Sequence, residues 1–323
     1  MKEKTFDVVA LGELLVDFTQ NGKSEQGNPL FEANPGGAPC NVLAMLRKLG
    51  KSCAFIGKVG KDGFGEMLTN TVIEAGIDTR ALKHDTEVHT TLAIVQTLPG
   101  GDRDFSFYRK PGADINLTAD ELDADLIADC KIFHFGSLSL TDEPCRSATY
   151  KALELAKAAG ALISYDPNLR EPLWPSLDVA KEYISWGMTQ CDILKISDNE
   201  IEFMTGETDF DKGAAILRET YPNIKLLNVT AGKDGSYSFY KDLRTFQPAC
   251  MLPGTIETTG AGDTFCASVL NFVLEHDLDN LTLDELNEML KFANTAAYLV
   301  TTKKGAIRSM PEKSDVEAIL ART

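Results

Sequence analysis

A run of small residues leads directly into an aspartate where residues 258–265 read TTGAGDTF. Because Gly260, Ala261 and Gly262 carry little or no side chain, their backbone N–H groups can turn toward a common point. The apolar segment that follows predicts a helix over residues 264–275. Its N-terminus would add unpaired N–H groups and the positive end of a helix dipole. Together these features predict an anion-binding cradle.

The position of Asp263 gives this cradle a chemical interpretation. A carboxylate would compete with the anion, so it does not suit a loop that only binds phosphate. It does suit a loop in which it accepts the proton of a hydroxyl group that attacks a phosphoryl group. The eight residues also fit an ordinary helix N-terminus with an acidic first turn. The motif alone therefore leaves both interpretations open.

Composition and charge narrow the possible functions. The 323-residue chain is 43% hydrophobic and 25% charged, as in ordinary globular proteins. Its net charge of −16 argues against nucleic-acid binding, which needs a basic surface. The chain has neither the apolar core of a signal peptide nor an apolar run of about 18 residues, which predicts a cytoplasmic protein without a membrane span. The seven scattered cysteines predict reduced thiols, and the four histidines show no zinc-ligand spacing.

Apolar strand-like runs alternate with helical segments along most of the chain, which predicts a mainly parallel sheet with helices on both faces. The predicted strands lie at residues 6–11, 53–59, 131–135, 161–165, 193–196 and 225–229. The predicted helices lie at residues 41–49, 65–75, 143–159, 179–188, 199–205, 212–220, 264–275, 284–302 and 314–321. Ligands bind such sheets at the carboxyl ends of the strands. Three strand ends carry candidate residues: Asp166, Asn168 and Arg170 at one, 197–200 at the next, and Thr230, Gly232 and Gly235 at the third.

The pattern changes between about residues 80 and 109. Strand-like segments at 91–97 and 104–108 flank a turn at 99–102 with no helix between them, which predicts an antiparallel hairpin. With residues near 14–34, of which 21–34 are predicted to form a loop, this hairpin could form a small sheet that projects from the main body. Gly36 and Gly37 follow and allow close backbone approach. The small sheet is interpreted as a lid over a cleft, with an ordinary edge hairpin as the alternative.

Two common nucleotide-binding motifs are incomplete. Residues 22–24 and 50–52 both read GKS but lack the upstream glycine of a P-loop. No G-x-G-x-x-G follows the first predicted strand, so a nicotinamide-dependent dehydrogenase is disfavoured. If the protein uses ATP, the cradle at Gly260 must hold its phosphates.

The chain resembles the ribokinase-like (PfkB) carbohydrate kinases along nearly its whole length. The resemblance rests on PGGAPCN (35–41), FIGKVGKDGFG (55–65) and ETTGAGDTF (257–265). Further segments are fructokinase-like: GELLVDF (12–18), FYR (107–109), IFHFGSLS (132–139), SYDPNLR (164–170), LWP (173–175) and KIS (195–197). The resemblance implies one kinase domain over residues 1–323. Its fold would be a ribokinase-like three-layer α/β sandwich with a central, mainly parallel sheet and a β lid formed by about residues 13–35 and 88–112.

The resemblance also implies an activity, the phosphorylation of D-fructose to D-fructose 6-phosphate by ATP with Mg²⁺. Asp263 would be the base, and Gly260, Ala261 and Gly262 would stabilise charge on the transferred phosphoryl group. The residues implied to hold the sugar are Asp17, Gly36, Gly37, Asn41, Phe107, Arg109, Asn168 and Arg170. Those implied to border the nucleotide are Lys195, Glu200, Thr230, Gly232, Gly235 and Asn294. Glu200 would orient water around Mg²⁺, and for Arg109 a solvated surface charge is the alternative.

Two positions depart from the family pattern. Glu257 stands where the family often has Asp, beside an implied monovalent-cation site that Gly305 and Ser309 would complete, so activation by K⁺ is an expectation that Glu257 could alter. Ser197 replaces the Asn that is common at the start of the acidic-amide motif, while Glu200 is retained.

Alternatives remain for the substrate and for the class of protein. The same fold with other lid contacts would serve 2-keto-3-deoxygluconate or ribose, and a non-catalytic sugar-binding regulator is the alternative of a different class. The exposed edges of the predicted lid favour pairing with a second subunit, since proteins seldom leave sheet edges open. The sequence therefore predicts a homodimer that binds a small sugar and ATP.

Overall fold

The computed structural model describes residues 4–97, 103–250 and 252–322. The described part contains thirteen strands: β1 (Phe6–Leu11), β2 (Leu15–Lys23), β3 (Pro29–Gly36), β4 (Cys53–Gly60), β5 (Asp78–Asp85), β6 (Leu92–Thr97), β7 (Arg103–Tyr108), β8 (Cys130–Gly136), β9 (Leu162–Asp166), β10 (Ile193–Ser197), β11 (Leu226–Thr230), β12 (Ser236–Tyr240) and β13 (Leu243–Gln247). It also contains ten α-helices: α1 (Ala38–Lys48), α2 (Gly63–Glu74), α3 (Ala124–Ala128), α4 (Cys145–Ala158), α5 (Leu177–Gln190), α6 (Asp198–Thr205), α7 (Phe210–Thr220), α8 (Ala261–Glu275), α9 (Leu283–Val300) and α10 (Lys313–Leu320).

The main sheet has nine strands in the order β13-β12-β11-β10-β9-β8-β1-β4-β5. The strands from β11 to β5 run parallel, whereas β12 and β13 pair antiparallel at one edge. From β1 the chain builds the sheet toward β5 on one side, and later from β8 toward β13 on the other. The order therefore reverses beside β1, and ligands bind open sheets at such a point.

Two hydrophobic clusters cover the two faces of this sheet. Along β1 the side chains alternate, since Val8 and Ala10 belong to one cluster and Val9 and Leu11 to the other. Helices α1, α8 and α9 contribute to the first cluster, and α4 and α5 to the second. A strand that is buried apart from Asp7 and carries apolar residues on both faces is what a covered parallel sheet requires. The predicted three-layer sandwich with a mainly parallel sheet is confirmed.

A separate sheet of four strands has the order β3-β2-β6-β7. The predicted hairpin is present, because β6 and β7 pair antiparallel. The predicted turn at 99–102 lies outside the described residues. The prediction of a loop over 21–34 is wrong in part, because β2 and β3 extend through it and pair with each other. Asn21-Gly22 and Gly27-Asn28-Pro29 read as breakers, yet they sit at the ends of paired strands on a solvent-exposed sheet.

Other predicted elements agree with the structure apart from a few residues at their ends. The strand β5 and the antiparallel pair β12–β13 were not predicted, because their alternating, partly polar residues lack the apolar run of a central strand. All seven cysteines are free thiols and six of them are buried. Among the described helices, none has both the length and the apolar content needed to cross a bilayer.

Candidate active site

A cavity of about 450 Å³ opens between the small sheet and the carboxyl edge of the main sheet. We call it the first cavity. Its lining comes from the segment after β1, from strands of the small sheet, from the ends of β9 and β10, and from the start of α8. It includes six of the eight predicted sugar-binding residues: Asp17, Gly37, Asn41, Phe107, Asn168 and Arg170. It also includes Gly260, Gly262 and Asp263.

The start of α8 has the backbone geometry that the sequence predicts for an anion cradle. Gly260 is the N-cap and adopts a left-handed conformation with φ 79°, which favours glycine. The Thr264 N–H closes the first turn on the Gly260 carbonyl at 2.8 Å. The helix begins at Ala261, whose N–H donates to the Thr258 carbonyl at 3.2 Å. The N–H groups of a first turn lack acceptors within the helix, which is what allows a helix N-terminus to bind an anion.

Asp263 lies on the first turn of α8 and is 8% exposed. Its Oδ2 accepts a hydrogen bond of 2.7 Å from Asn41 Nδ2, and its Oδ1 accepts one of 3.3 Å from Asn168 Nδ2. Burial raises the pKa of Asp263 above its usual value, and the Asn41 amide, with Lys195 and Arg170, offsets only part of this effect. Two amides thus orient a carboxylate whose proton affinity is increased, as a general base requires.

Asn168 reaches Asp263 from an unusual backbone conformation. It follows β9 with φ 53°, in the left-handed region that asparagine tolerates better than most residues. The strand end therefore turns sharply and returns the amide toward α8.

A buried cation lies beneath the cradle. Lys195 on β10 pairs with Asp166 at 3.1 Å, and a Cβ on Gly262 would stand 3.1 Å from its Nζ. Burial alone lowers the pKa of Lys195, but Asp166, Glu200 and Asp263 outweigh it and hold the pKa above its usual value. Lys195 therefore stays charged and adds a fixed positive charge next to the N-terminus of α8.

Asp17 projects from β2 of the small sheet into the first cavity. Burial raises its pKa to about 7, with Arg170 opposing the rise and Glu257 and Asp263 adding to it. A Cβ on Gly36 would stand 2.5 Å from Asp17 Oδ2. A larger residue at Gly36 would therefore require the Asp17 carboxylate to shift, although Gly36 does not itself belong to the described lining of the first cavity.

A second cavity of about 410 Å³ lies on the other side of the cradle. Four of the predicted nucleotide-binding residues line it: Thr230, Gly232, Gly235 and Asn294. Ala261 also faces it, and Thr258 and Gly262 line both cavities. The two cavities therefore meet at the glycine-rich turn, next to Asp263.

Asn294 on α9 holds the wall of the second cavity. Its Nδ2 donates to the carbonyl oxygens of Gln247 and Pro248, both at 3.0 Å, and its Oδ1 accepts from Ser236 Oγ at 2.8 Å. Its polar atoms thus fix the segment after β13, so Asn294 shapes the cavity through the backbone that it positions.

Arg109 is buried, so the alternative of a solvated surface charge is wrong, and its role near the sugar stays a prediction. It is 3% exposed and does not belong to the described lining of the first cavity. Its guanidinium donates to Asp114, to Thr141 Oγ1 at 2.9 Å and to the Leu138 carbonyl at 2.8 Å. A short turn after the small sheet brings Asp114 back to Arg109, so the arginine anchors the base of this sheet.

Glu200 is also committed to protein contacts. It is 7% exposed, its Oε1 accepts from the Leu169 N–H at 2.8 Å, and its Oε2 accepts from Ser197 in the capping box of α6. Burial alone would raise the pKa of Glu200, but Lys195 and these hydrogen bonds lower it below its usual value. It does not line either cavity within the described residues. Its water-mediated role toward Mg²⁺ stays a prediction.

Only some of the residues implied for a monovalent-cation site lie close to one another. Glu257 and Gly305 line the first cavity. A Cβ on Gly305 would stand 3.8 Å from Ser309 Oγ, and this hydroxyl donates to the Lys304 carbonyl. Within the described residues no cluster of three or more His, Cys, Asp or Glu could hold a metal ion. Oxygen donors for a weakly bound cation are present, and the site stays a prediction.

Several lining residues were not identified from the sequence. In the first cavity they include Glu13, Thr19, Asn34, Val95 and Leu138. In the second they include Lys233, Cys250, Phe265, Tyr298 and Thr301. Asn34 lies opposite Asp17 in the β2–β3 register and donates to Thr19 Oγ1 at 2.7 Å. Alternation along a paired strand could have identified Thr19 and Asn34, had β2 and β3 been recognised.

Comparison with known proteins assigns this geometry to a family. The model of the pfkB family carbohydrate kinases matches residues 5–313. The chain belongs to the PfkB family of carbohydrate kinases. A probable fructokinase-2 of Arabidopsis thaliana is 44% identical over 321 residues, covering 97% of this chain and 94% of that protein. The family resemblance inferred from the motifs is confirmed, and so is its sugar-kinase character.

Solved structures of the family share the whole fold. The structure of a fructokinase from Xylella fastidiosa with bound ATP has a TM-score of 0.88 and 27% identity, with 98% of each chain covered. A double mutant of a fructokinase from Vibrio cholerae O395, with fructose, ADP and a potassium ion bound, has a TM-score of 0.86 and 28% identity, with 99% of this chain and all of the other covered.

Proposed function

We propose that this PfkB kinase transfers the γ-phosphoryl group of ATP to the primary hydroxyl of D-fructose, giving D-fructose 6-phosphate and ADP. The observation that carries the proposal is the meeting of two cavities at Thr258 and Gly262, beside the buried Asp263. The first cavity has the more polar lining and suits a sugar, and the second has the more apolar lining and suits a nucleotide. The names and ligands of the relatives support fructose as the acceptor.

On the acceptor side, Asp263 takes the proton of the attacking hydroxyl. Its raised pKa increases its affinity for that proton, and Asn41 and Asn168 hold both carboxylate oxygens in place. Asp17 and Asn41 hold further sugar hydroxyls, because carboxylates and amides accept or donate to a polyol. Phe107 on the lid packs against the sugar, Gly36 and Gly37 admit close approach, and Arg170 lies at the rim.

On the donor side, the nucleotide occupies the second cavity along Thr230, Gly232, Gly235 and Asn294. The N–H groups at Gly260, Ala261 and Gly262 stabilise the charge of the transferred phosphoryl group, and Lys195 adds positive charge beneath them. Mg²⁺ bound with ATP would neutralise its phosphates, and Glu200 would be the residue that orients water toward it. Closure of the small sheet as a lid then excludes water from the phosphoryl group.

A coupled assay of ADP release tests the acceptor. D-fructose, D-ribose, 2-keto-3-deoxygluconate, D-glucose and D-mannose are compared by kcat/KM, each with and without K⁺. We expect fructose to give the highest kcat/KM, and K⁺ to raise it if Glu257 and Ser309 hold a cation. A higher value for ribose or the sugar acid would replace fructose as the substrate. If the protein binds a sugar but no tested sugar causes ADP release from ATP, it is a non-catalytic sugar-binding regulator.

A homodimer through the lid is part of the proposal. β3 and β7 are the edge strands of the small sheet, and they expose Leu30, Phe31 and Tyr108. Pairing with a second lid would cover these apolar side chains and the open backbone groups. We expect light scattering to give twice the chain mass, and Phe31→Lys to give the single mass. A wild-type monomer at working concentration would refute the dimer.

We place the protein in the cytoplasm, consistent with its free thiols.

A further inference from the structure

Glu13 is the most deeply buried acidic residue in the lining of the first cavity, and the mechanism above gives it no role. It lies two residues after the end of β1, where the strand order of the main sheet reverses. It is 4% exposed. Burying a carboxylate costs free energy unless the surroundings compensate its charge. Its contacts therefore point to a function.

The contacts of Glu13 fix one corner of the first cavity. Its Oε1 accepts a hydrogen bond of 2.8 Å from the N–H of Ala38, the first residue of α1. The N-cap residue Gly37 makes no side-chain cap of its own, and the first turn of α1 carries no acidic residue. Glu13 thus supplies, from a distant segment, the negative charge that favours a helix N-terminus.

The backbone of Glu13 holds the same corner. A Cβ on Gly37 would stand 2.3 Å from the Glu13 carbonyl oxygen, and Gly37 has φ 131°. Glu13 therefore contacts both residues of this corner: its carboxylate accepts from Ala38, and its carbonyl oxygen packs closely against Gly37. One helical turn later α1 presents Asn41, whose amide donates to Asp263 Oδ2.

Charged groups around Glu13 set its protonation. Burial raises its pKa to about 7, although N–H groups of Glu13 and Ala38 and the charge of Arg109 lower it, and Asp114 adds to the rise. Arg109 does not hydrogen-bond to Glu13, because its donors serve Asp114, Thr141 and Leu138. The thiols that face this group are Cys40 on α1 and Cys145 on α4.

We propose that Glu13 is a positioning residue for the acceptor sugar: its charged carboxylate fixes the Gly37–Ala38 corner of the first cavity and, through α1, the Asn41 amide that orients Asp263. The inference rests on the proposed sugar-kinase function of this cavity. A charge-assisted hydrogen bond at a helix N-terminus is stronger than a neutral one, so the neutral form of Glu13 holds the corner less firmly.

The test compares Glu13→Gln, Glu13→Ala and the control Glu154→Gln, which changes an exposed carboxylate on α4. Gln keeps the length and can still accept from Ala38, but it carries no charge. We expect Glu13→Gln to raise KM for fructose about tenfold and Glu13→Ala about a hundredfold, the range for hydrogen bonds to charged groups. KM for ATP should change less than about twofold, because the second cavity lies beyond the cradle. Glu154→Gln should match the wild type.

Two further measurements separate positioning from mere folding. In the wild type, KM for fructose should rise as the pH falls below about 7, because protonation removes the charge. Glu13→Gln should reduce this dependence to the part that Asp17 contributes. A carboxyl whose pKa is raised by folding costs stability when charged, above that pKa. Glu13→Gln should therefore melt no lower than the wild type at pH 8.

The outcomes are distinct. An unchanged KM and pH dependence in Glu13→Gln would overturn the inference. So would a rise in both KM values accompanied by a lower melting temperature. If Glu13→Ala does not fold, the kinetics of Glu13→Gln still test whether Glu13 is a positioning residue. If the wild type prefers another sugar, the proposed acceptor is wrong, and the same comparison made with the preferred sugar still tests Glu13.

Discussion

Asp263→Asn is expected to lower kcat by about two to four orders of magnitude, the usual contribution of a general base. The substitution removes the proton acceptor and retains the size of the side chain. The Asn side chain keeps one oxygen that can accept from Asn41 or Asn168, and its NH2 group can donate to the other residue once that amide flips, so the turn should keep its shape. Steady-state kinetics with fructose and ATP give the value of kcat.

The same variant should fold and bind ATP normally. Burial raises the pKa of Asp263 in the folded protein, so its charge costs stability above that pKa, and a neutral Asn removes this cost. The melting temperature at pH 8 should therefore be at least that of the wild type, and calorimetry should give an unchanged Kd for ATP. Asp315→Asn, at an exposed position on α10, is the matched control. A kcat within tenfold of wild type would mean that another group accepts the proton.

The wild-type enzyme should lose activity as the pH falls through the raised pKa of Asp263, because only the charged carboxylate accepts a proton. The KM of the sugar should respond to pH near 7, where Glu13 and Asp17 titrate. The pH profile of kcat reports Asp263, and the pH profile of KM reports Glu13 and Asp17. Asp263→Asn and Glu13→Gln can therefore assign each profile to its groups.

Residues whose roles follow from local chemistry could be predicted from the sequence. The cradle depends on three consecutive small residues and the helix that begins there, and all of its determinants lie within eight positions. Asp166, Asn168 and Thr230 could be predicted because polar residues after parallel strands share one edge of a sheet. The central sheet followed from apolar runs that alternate with helices.

Residues whose roles depend on distant partners could not be predicted. Arg109 directly follows the last strand of the small sheet, and only the folded chain brings Asp114, Thr141 and Leu138 around its guanidinium. Asn34 was missed because glycine and proline near β2 and β3 obscured the pairing of those strands. Glu13 matches the family motif at 12–18, but its role as a remote cap of α1 depends on a contact 25 residues away.

Lys195→Met is expected to reduce both stability and kcat. It leaves Asp166 buried without its partner, and breaking one side of a buried ion pair typically costs about 3–5 kcal/mol of unfolding free energy. It also removes a fixed positive charge next to Gly262, and loss of one such preorganised group lowers kcat by about 10²–10³-fold. Denaturant unfolding and steady-state kinetics measure the two effects.

The double variant Lys195→Met/Asp166→Asn separates stability from catalysis. Removing the Asp166 carboxylate should restore part of the unfolding free energy, because the charge that paired with Lys195 is then gone, while Glu200 and Asp263 still lack the cation. It should not restore kcat, because the positive charge beneath the cradle is still missing. Lys131→Met, which breaks an exposed pair with Asp7 on the same sheet, should cost no more than about 1 kcal/mol and leave kcat unchanged. Recovery of kcat together with stability would show that Lys195 supports only the fold. A double variant that is stable but inactive would show that the positive charge of Lys195 acts in the phosphoryl-transfer step.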